Sequence, residues 1–246
     1  MKTAVSIITL LALFLFSAAT CFAQKPEDTE VWEPEPAVVT PGNLSHEPPS
    51  DAIILFNGKD LSHWVDSAGN NPQWKINGDV ATVVKGIGEI RTKAGFGSVQ
   101  LHIEWRTPEE VEGEGQDRGN SGIFLQDRYE VQVLDSYNNR TYSNGQAGSI
   151  YKQHIPLVNA SRPPGEWQTY DIIFKAPSFD ANGKLIKAAY LTVIHNGVLV
   201  QDHVAVKGST VYEGQPEYQA HNEKMPLQLQ EHSNPVSYRN IWIREL

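Results

Sequence analysis

The chain predicts an all-β fold, a two-sheet sandwich or jelly roll, on three observations. Almost every patterned segment alternates apolar and polar residues with a period of two, as strands with one buried face do. Asn-Gly pairs at 57–58, 77–78 and 196–197 supply the residues that tight β-turns need. Helical periodicity with caps is nearly absent: residues 107–113 could form one turn, and 151–158 are interrupted by Pro156. No motif recurs at a fixed spacing, which argues against a propeller or β-helix.

In chain order, residues 52–56 are a short apolar strand ending at Asn57-Gly58, and residues 74–83 are a hairpin around Asn77-Gly78. Residues 100–106 put Leu101, Ile103 and Trp105 on one side and His102, Glu104 and Arg106 on the other. The stretch 118–132, RGNSGIFLQDRYEVQ, reads as turn, strand, reversal and second strand. That second strand presents Glu130 and Gln132 on one face, opposite Val131 and Val133. Residues 167–174, 190–200 and 238–244 complete the set, the middle one folded back at Asn196-Gly197.

Before these strands, residues 1–23 read as a signal peptide. Lys2 gives a positive start, residues 7–16 an apolar stretch too short for a comfortable membrane span, and Ala23 a small residue at the cut. The expected location is periplasmic or secreted. A lipid anchor on Cys21 is disfavoured because Ala18 and Thr20 fit the lipobox poorly. Cleavage after Ala23 removes the only cysteine, so the exported chain must be held by its core, without disulfides. Residues 24–50 are rich in Glu and Pro and are expected as an extended linker, leaving 51–246 as one domain. A formal net charge of −9 without Lys/Arg clusters argues against nucleic acid and anionic membranes as partners.

The polar faces carry the candidate chemistry. His102, Glu104 and Arg106 share a parity, as do Glu130 and Gln132; so do Lys152 with His154, and Gln230 with His232, while Arg239 stands near the end. On one strand such a face is ordinary solvated surface. Its recurrence in four segments, with long groups of mixed sign, predicts one shared cleft. Amides and carboxylates pair with hydroxyls in both directions, and aromatic rims stack on sugar C–H faces, so a glycoside or oligosaccharide is the expected partner. Arg118 and Asn120 sit in the glycine-flanked turn before the strand, while Asp135 is of opposite parity to Glu130 and is expected to bind backbone amides. Metal, phosphate and nucleophile-elbow motifs are absent: no HExxH, CxxC, EF-hand, GxSxG or Walker spacing occurs. No cofactor or metal is therefore predicted, although a structural calcium held by Asp and backbone oxygens stays compatible with the sequence.

LFNGKDLSHW (55–64), RGNSGIFLQ (118–126), YEVQVLDS (129–136), GSIYKQH (148–154), PGEWQTYDI (164–172), HNGVLVQD (195–202) and LQEHSNPVSYRNIWIREL (229–246) together resemble the 3-keto-disaccharide hydrolase domain family over residues 51–246. The resemblance implies a concanavalin- or laminin-G-like jelly roll, and activity on glycosides already oxidised at C3. A separate oxidoreductase would have to make that keto sugar.

The chemistry is consistent with the residues. A ketone at C3 acidifies the C2 proton, so a base can remove it and expel the aglycone from C1 before water adds back. Such a path needs a base near C2, a donor for the enolate oxygen and an acid for the leaving oxygen. Glu130, Glu104 or a cleft histidine suits the first role, and Lys152, Arg239 or His232 the second. Glu130 is preferred as base, with His154 or His232 for proton transfer and Arg118, Asn120 and Gln132 binding hydroxyls. His102, Arg106, Gln230 and Arg239 would also face substrate. Two competing readings are a conventional glycosidase using Glu104 and Glu130, and a non-catalytic carbohydrate-binding module.

Overall fold

A computed structural model describes residues 24–246; the expected signal peptide, 1–23, lies outside the described residues. The chain divides into two units, one ending at Val38 and one spanning Val39–Leu246. Within the first, the described residues form one short 3-10 turn, Pro26–Thr29, and leave Val31, Trp32 and Val38 exposed.

The second unit is an antiparallel two-sheet sandwich of the expected class. One sheet holds β1 (Ile53–Phe56), β3 (Lys75–Asn77), β4 (Val80–Thr82), β6 (Val99–Arg106), β9 (Gln168–Lys175), β12 (Tyr190–His195), β13 (Val198–Ala205) and β15 (Ser237–Glu245). The other holds β2 (Trp64–Asp66), β5 (Ile90–Phe96), β7 (Ser121–Leu125), β8 (Tyr129–Val133) and β14 (Met225–Leu229), in the order β2-β5-β14-β7-β8. A separate ribbon pairs β10 (Ser178–Phe179) with β11 (Leu185–Lys187). The expected hairpins at Asn77-Gly78 and Asn196-Gly197 join β3 to β4 and β12 to β13. The turn expected within 107–113 does not form; the nearby 3-10 turn is Gly115–Asp117.

Alternate residues of both sheets fill the space between them. Leu101, Ile103 and Trp105 of β6 and Tyr170, Ile172 and Phe174 of β9 join one core with Ile123, Val131, Val133 and Leu229 of the facing sheet. Each such side chain removed from water is worth about 1.5–3 kcal/mol, which is how an apolar stripe selects its face. Tyr170 ties the layers together by donating its hydroxyl to the Gln132 carbonyl, at 2.8 Å.

The compact unit begins at Val39, inside the stretch expected as linker. Residues 39–50 close on themselves through Thr40 and Ser50, and the His46 carbonyl accepts from Asn240 Nδ2 at 2.9 Å and Trp242 Nε1 at 3.1 Å. Proline there prevents strand pairing without preventing packing.

Candidate active site

Strand β8 alternates the core residues Tyr129, Val131 and Val133 with Glu130 and Gln132, which therefore project from the outer face of the five-stranded sheet. Loops cover that face, so Glu130 is only 4% exposed. It lines a cavity of about 270 Å³ with Asn120, Phe124, Gln132, Tyr151, Thr210, Tyr212, Gln230 and His232. Among the described residues, no group donates a hydrogen bond to its carboxyl oxygens and no cation pairs with them. Burial alone therefore acts on its titration, raising it to about 8. The room it occupies exists because position 122 has no side chain: a β-carbon there would collide with Glu130 Oε1 and with the Phe124 ring.

Amides organise the floor. Gln132 Nε2 donates to Asn120 Oδ1 and Gln116 Oε1, both at 3.2 Å, while Asn120 Nδ2 donates to the Gln116 carbonyl at 2.8 Å. Gln132 Oε1 is buried without a partner among the described residues, an acceptor left open beside the carboxyl. On the other side, the Tyr142 and Tyr151 hydroxyls meet at 2.6 Å. Burial first, and then the neighbouring hydroxyl and the Glu130 carboxyl, pushes the Tyr151 phenol above its ordinary range, so it keeps its proton and remains a donor.

Five sequence-predicted residues thus share one cavity: Glu130, Gln132, Asn120, Gln230 and His232. Lys152 stands beside it, in an adjoining cavity that shares Tyr151 and Tyr212. The rest lie elsewhere, which corrects the expectation of a single cleft. Arg118 is spent on Asp135, with Nε 2.6 Å from Oδ2, and on the Tyr137 carbonyl. His154 Nε2 lies 2.8 Å from the Ala205 carbonyl and lines neither cavity. Strand parity groups it with Lys152, but Lys152 has φ +57° and the segment turns.

His102, Glu104, Arg106 and Arg239 belong to β6 and β15 of the other sheet, on its outer face. There His102 Nδ1 lies 2.7 Å from Asp171 Oδ1, Glu104 accepts from Arg239 Nε at 2.7 Å and Asn240 Nδ2 at 2.9 Å, and Trp242 stacks on the His102 ring. Arg106 and Arg239 both lie over the Trp167 ring. Glu104 and Glu130 therefore project away from each other across a packed core. Facing sheets lie about 10 Å apart, which exceeds the roughly 5–9.5 Å of paired glycosidase carboxyls, so these two do not form one.

Sequence reasoning missed Tyr142, Tyr151, Thr210, Tyr212 and Gln116 as site residues. All lie outside the strands, where no periodicity marks orientation; the only signal was the closeness of Tyr151 to Lys152. A larger cavity of about 720 Å³, lined by Phe179, Lys187, His221 and Lys224 among others, contains none of the predicted residues. Size does not decide between them; the unpaired carboxyl does. Among the described residues no group of three or more His, Cys, Asp or Glu is placed to hold a metal ion.

Residues 51–244 match the 3-keto-alpha-glucoside-1,2-lyase-like domain. The chain belongs to that family. No protein of curated function matches it. Among solved structures, one from Parabacteroides distasonis, described as a "putative glycosyl hydrolase", is 52% identical. The match has a TM-score of 0.86 and covers 90% of this chain and 97% of that one. Two others from the same organism, described in the same words, share 20% and 22% identity, with TM-scores of 0.59 and 0.56. They cover 80% and 79% of this chain, and 94% and 99% of their own, and show likeness of fold. The lyase-like domain is thus a carbohydrate-active, glycoside-hydrolase-like enzyme domain.

Proposed function

We propose that this protein cleaves 3-keto-glycosides, including 3-keto-disaccharides, by elimination across C1 and C2 followed by hydration, with Glu130 as the base. The observation that carries the reading is a carboxyl buried in a sugar-sized cavity, with no partner among the described residues and a titration raised to about 8. A carboxylate poised near neutral pH takes a carbon-bound proton better than an ordinary one, provided the proton is acidified. The C3 ketone supplies that acidity.

In the first step Glu130 accepts the C2 proton and the electron pair moves onto the C3 oxygen as an enolate. The C1–O bond then breaks as the enolate collapses, leaving a 1,2-ene, and the departing oxygen takes a proton. His232 is the preferred donor to that oxygen, and the Tyr151 hydroxyl, which keeps its proton, is a second donor lining the cavity. Water next adds its hydroxyl to C1 and a proton to C2, giving net hydrolysis. Hydroxyls of the sugar would be oriented by Asn120, Gln132 and Gln230, where the open Oε1 of Gln132 is an available acceptor.

The keto substrate must come from a separate oxidoreductase, and residues 1–23 support export to the periplasm or medium. N-terminal sequencing of protein recovered outside the cytoplasm should begin at Gln24; an intact Met1 there would end the export proposal.

Incubating the purified protein with an aryl glucoside and its 3-keto counterpart tests the chemistry. Cleavage of only the keto form is expected. Cleavage of the plain form would indicate a conventional glycosidase, and binding without turnover a carbohydrate-binding module.

A further inference from the structure

When a base removes the C2 proton, the C–H electron pair forms the C2=C3 double bond and the carbonyl pair moves onto the C3 oxygen. That oxygen must then be met by a donor. The residues expected for the role do not supply one. Arg239 projects from the other sheet. Lys152 does not line the Glu130 cavity, and its Nζ donates to the Tyr212 carbonyl at 2.6 Å. His232 is already assigned to the departing oxygen. Of the amides, Gln132 Nε2 already donates twice and its open Oε1 only accepts. Gln230 follows β14, which is two strands removed from β8.

Tyr151 stands where the donor is needed. Ile150 forms an antiparallel bridge with Val131 of β8, and the Tyr151 N–H donates to the Glu130 carbonyl at 3.3 Å. Ile150 and Val131 are both core residues, so the next pair along, Tyr151 and Glu130, faces the cavity side by side. Directly opposed residues have β-carbons about 4.5–5.5 Å apart. C3 is bonded to C2, so a donor for its oxygen belongs beside the base, and this is the neighbouring position. Lys152, at φ +57°, turns the chain immediately afterwards and ends the pairing there.

The hydroxyl is also prepared for the task. It lies 2.6 Å from the Tyr142 hydroxyl. With Tyr142 donating, the Tyr151 oxygen is satisfied and its own proton is left for the cavity. A hydroxyl that accepts a hydrogen bond becomes a stronger donor. Tyr142 is 39% exposed, so its oxygen can in turn accept from water.

We propose that the Tyr151 hydroxyl, supported by that of Tyr142, donates the hydrogen bond that stabilises the enolate oxygen at C3. The assignment rests on the reading of Glu130 as base. No proton passes to the enolate. When the C1–O bond breaks, the pair on the C3 oxygen returns to re-form the carbonyl, and Tyr151 ends the step as it began. A neutral phenol stabilises the charge without surrendering its proton, which leaves the enolate free to collapse. Tyr142 acts through Tyr151 and is a positioning residue.

The test measures Tyr151→Phe and Tyr142→Phe, which keep both rings, on methyl and nitrophenyl 3-keto-glucosides. Tyr151→Phe should lower kcat about 10²–10³-fold with KM nearly unchanged, as for a donor that acts only in the transition state. Tyr142→Phe should lower it about tenfold, the worth of one supporting hydrogen bond. In both variants the loss on the nitrophenyl substrate should be at least as large as on the methyl one. A hydroxyl that protonated the departing oxygen would instead matter for methoxide and hardly for nitrophenolate, so a loss confined to the methyl substrate overturns the assignment. So does a raised KM with normal kcat, which is what a merely structural hydroxyl would give. The ascending limb of kcat/KM with pH should keep its wild-type position in Tyr151→Phe, since the ring still buries the carboxyl; a displaced limb would mean an opened cavity and overturns it too. Should Tyr151→Phe not fold, Tyr142→Phe decides on the same criteria. A wild type that cleaves neither substrate fails the Glu130 reading first, and the enolate donor with it.

Discussion

Gly122 and Glu130 are diagonal neighbours across the β7–β8 ladder, and a β-carbon on the first would overlap a carboxyl oxygen of the second. Since backbone conformation does not demand glycine there, the vacancy is about space. Gly122→Ala should displace the carboxyl or the Phe124 ring, with an overpacking cost of about 1–3 kcal/mol. Turnover of a 3-keto-glucoside should fall about a hundredfold, as expected for a base moved by a fraction of its reach. Thermal unfolding and steady-state kinetics check both; normal turnover would mean that the pocket relaxes and Gly122 is dispensable.

The rate should follow the ionisation of Glu130. A base must be deprotonated, so kcat/KM should climb with pH and level off above about 8. Glu130→Gln should lower turnover by about 10²–10⁴-fold with little loss of binding. An ascending limb near ordinary carboxylate values, or full activity in the variant, removes Glu130 from the mechanism.

The same carboxyl makes stability depend on pH in a definite direction. Its folded value, about 8, lies above the ordinary 4.5, so between those values the folded chain binds the proton more tightly than the unfolded one. This contribution is complete below about 4.5 and lost as pH rises through about 8. Glu130→Gln, which cannot ionise, should therefore gain stability relative to wild type from pH 5 to 9 in chemical denaturation. A constant difference across that range would show that the carboxyl is not desolvated as described.

The faces of individual strands were legible in the sequence, and so was the fold, because a period of two assigns every side chain to one of two sides. Leu101, Ile103 and Trp105 are core, and Glu130 and Gln132 point away from it, as the alternation requires. Parity relates a residue only to its own sheet, however. Glu104 and Glu130 obey the same rule and emerge on opposite surfaces, since long-range pairing decides that β6 joins one sheet and β8 the other. Parity also fails where the chain is not extended, which separates His154 from Lys152. Tyr142, Tyr151 and Tyr212 reach the site through turns, whose direction depends on packing.

His102, Glu104 and Arg239 form a hydrogen-bonded network with Asp171 and Asn240, and its pH dependence can be derived. Burial opposes ionisation of Glu104, but the His102 ring 3.8 Å away and hydrogen bonds from Asn240 and Arg239 outweigh it and hold the carboxyl at about 2. Burial likewise opposes protonation of His102, and the Asp171 and Glu104 carboxylates outweigh it and raise its value. The Glu104 contribution is therefore present above its ordinary 4.5 and lost as pH falls towards 2. That of His102 is present below its ordinary 6.5 and lost as pH rises through its higher folded value. Both operate in full only between those two ordinary values. Glu104→Gln should consequently cost about 1–3 kcal/mol, most of all at pH 5–6, and less towards either extreme. Because Glu104 faces away from the Glu130 cavity, kcat/KM on the 3-keto-glucoside should stay within about twofold of wild type at temperatures where the variant is folded. A loss of turnover larger than the loss of folded protein would return this cluster to the active site.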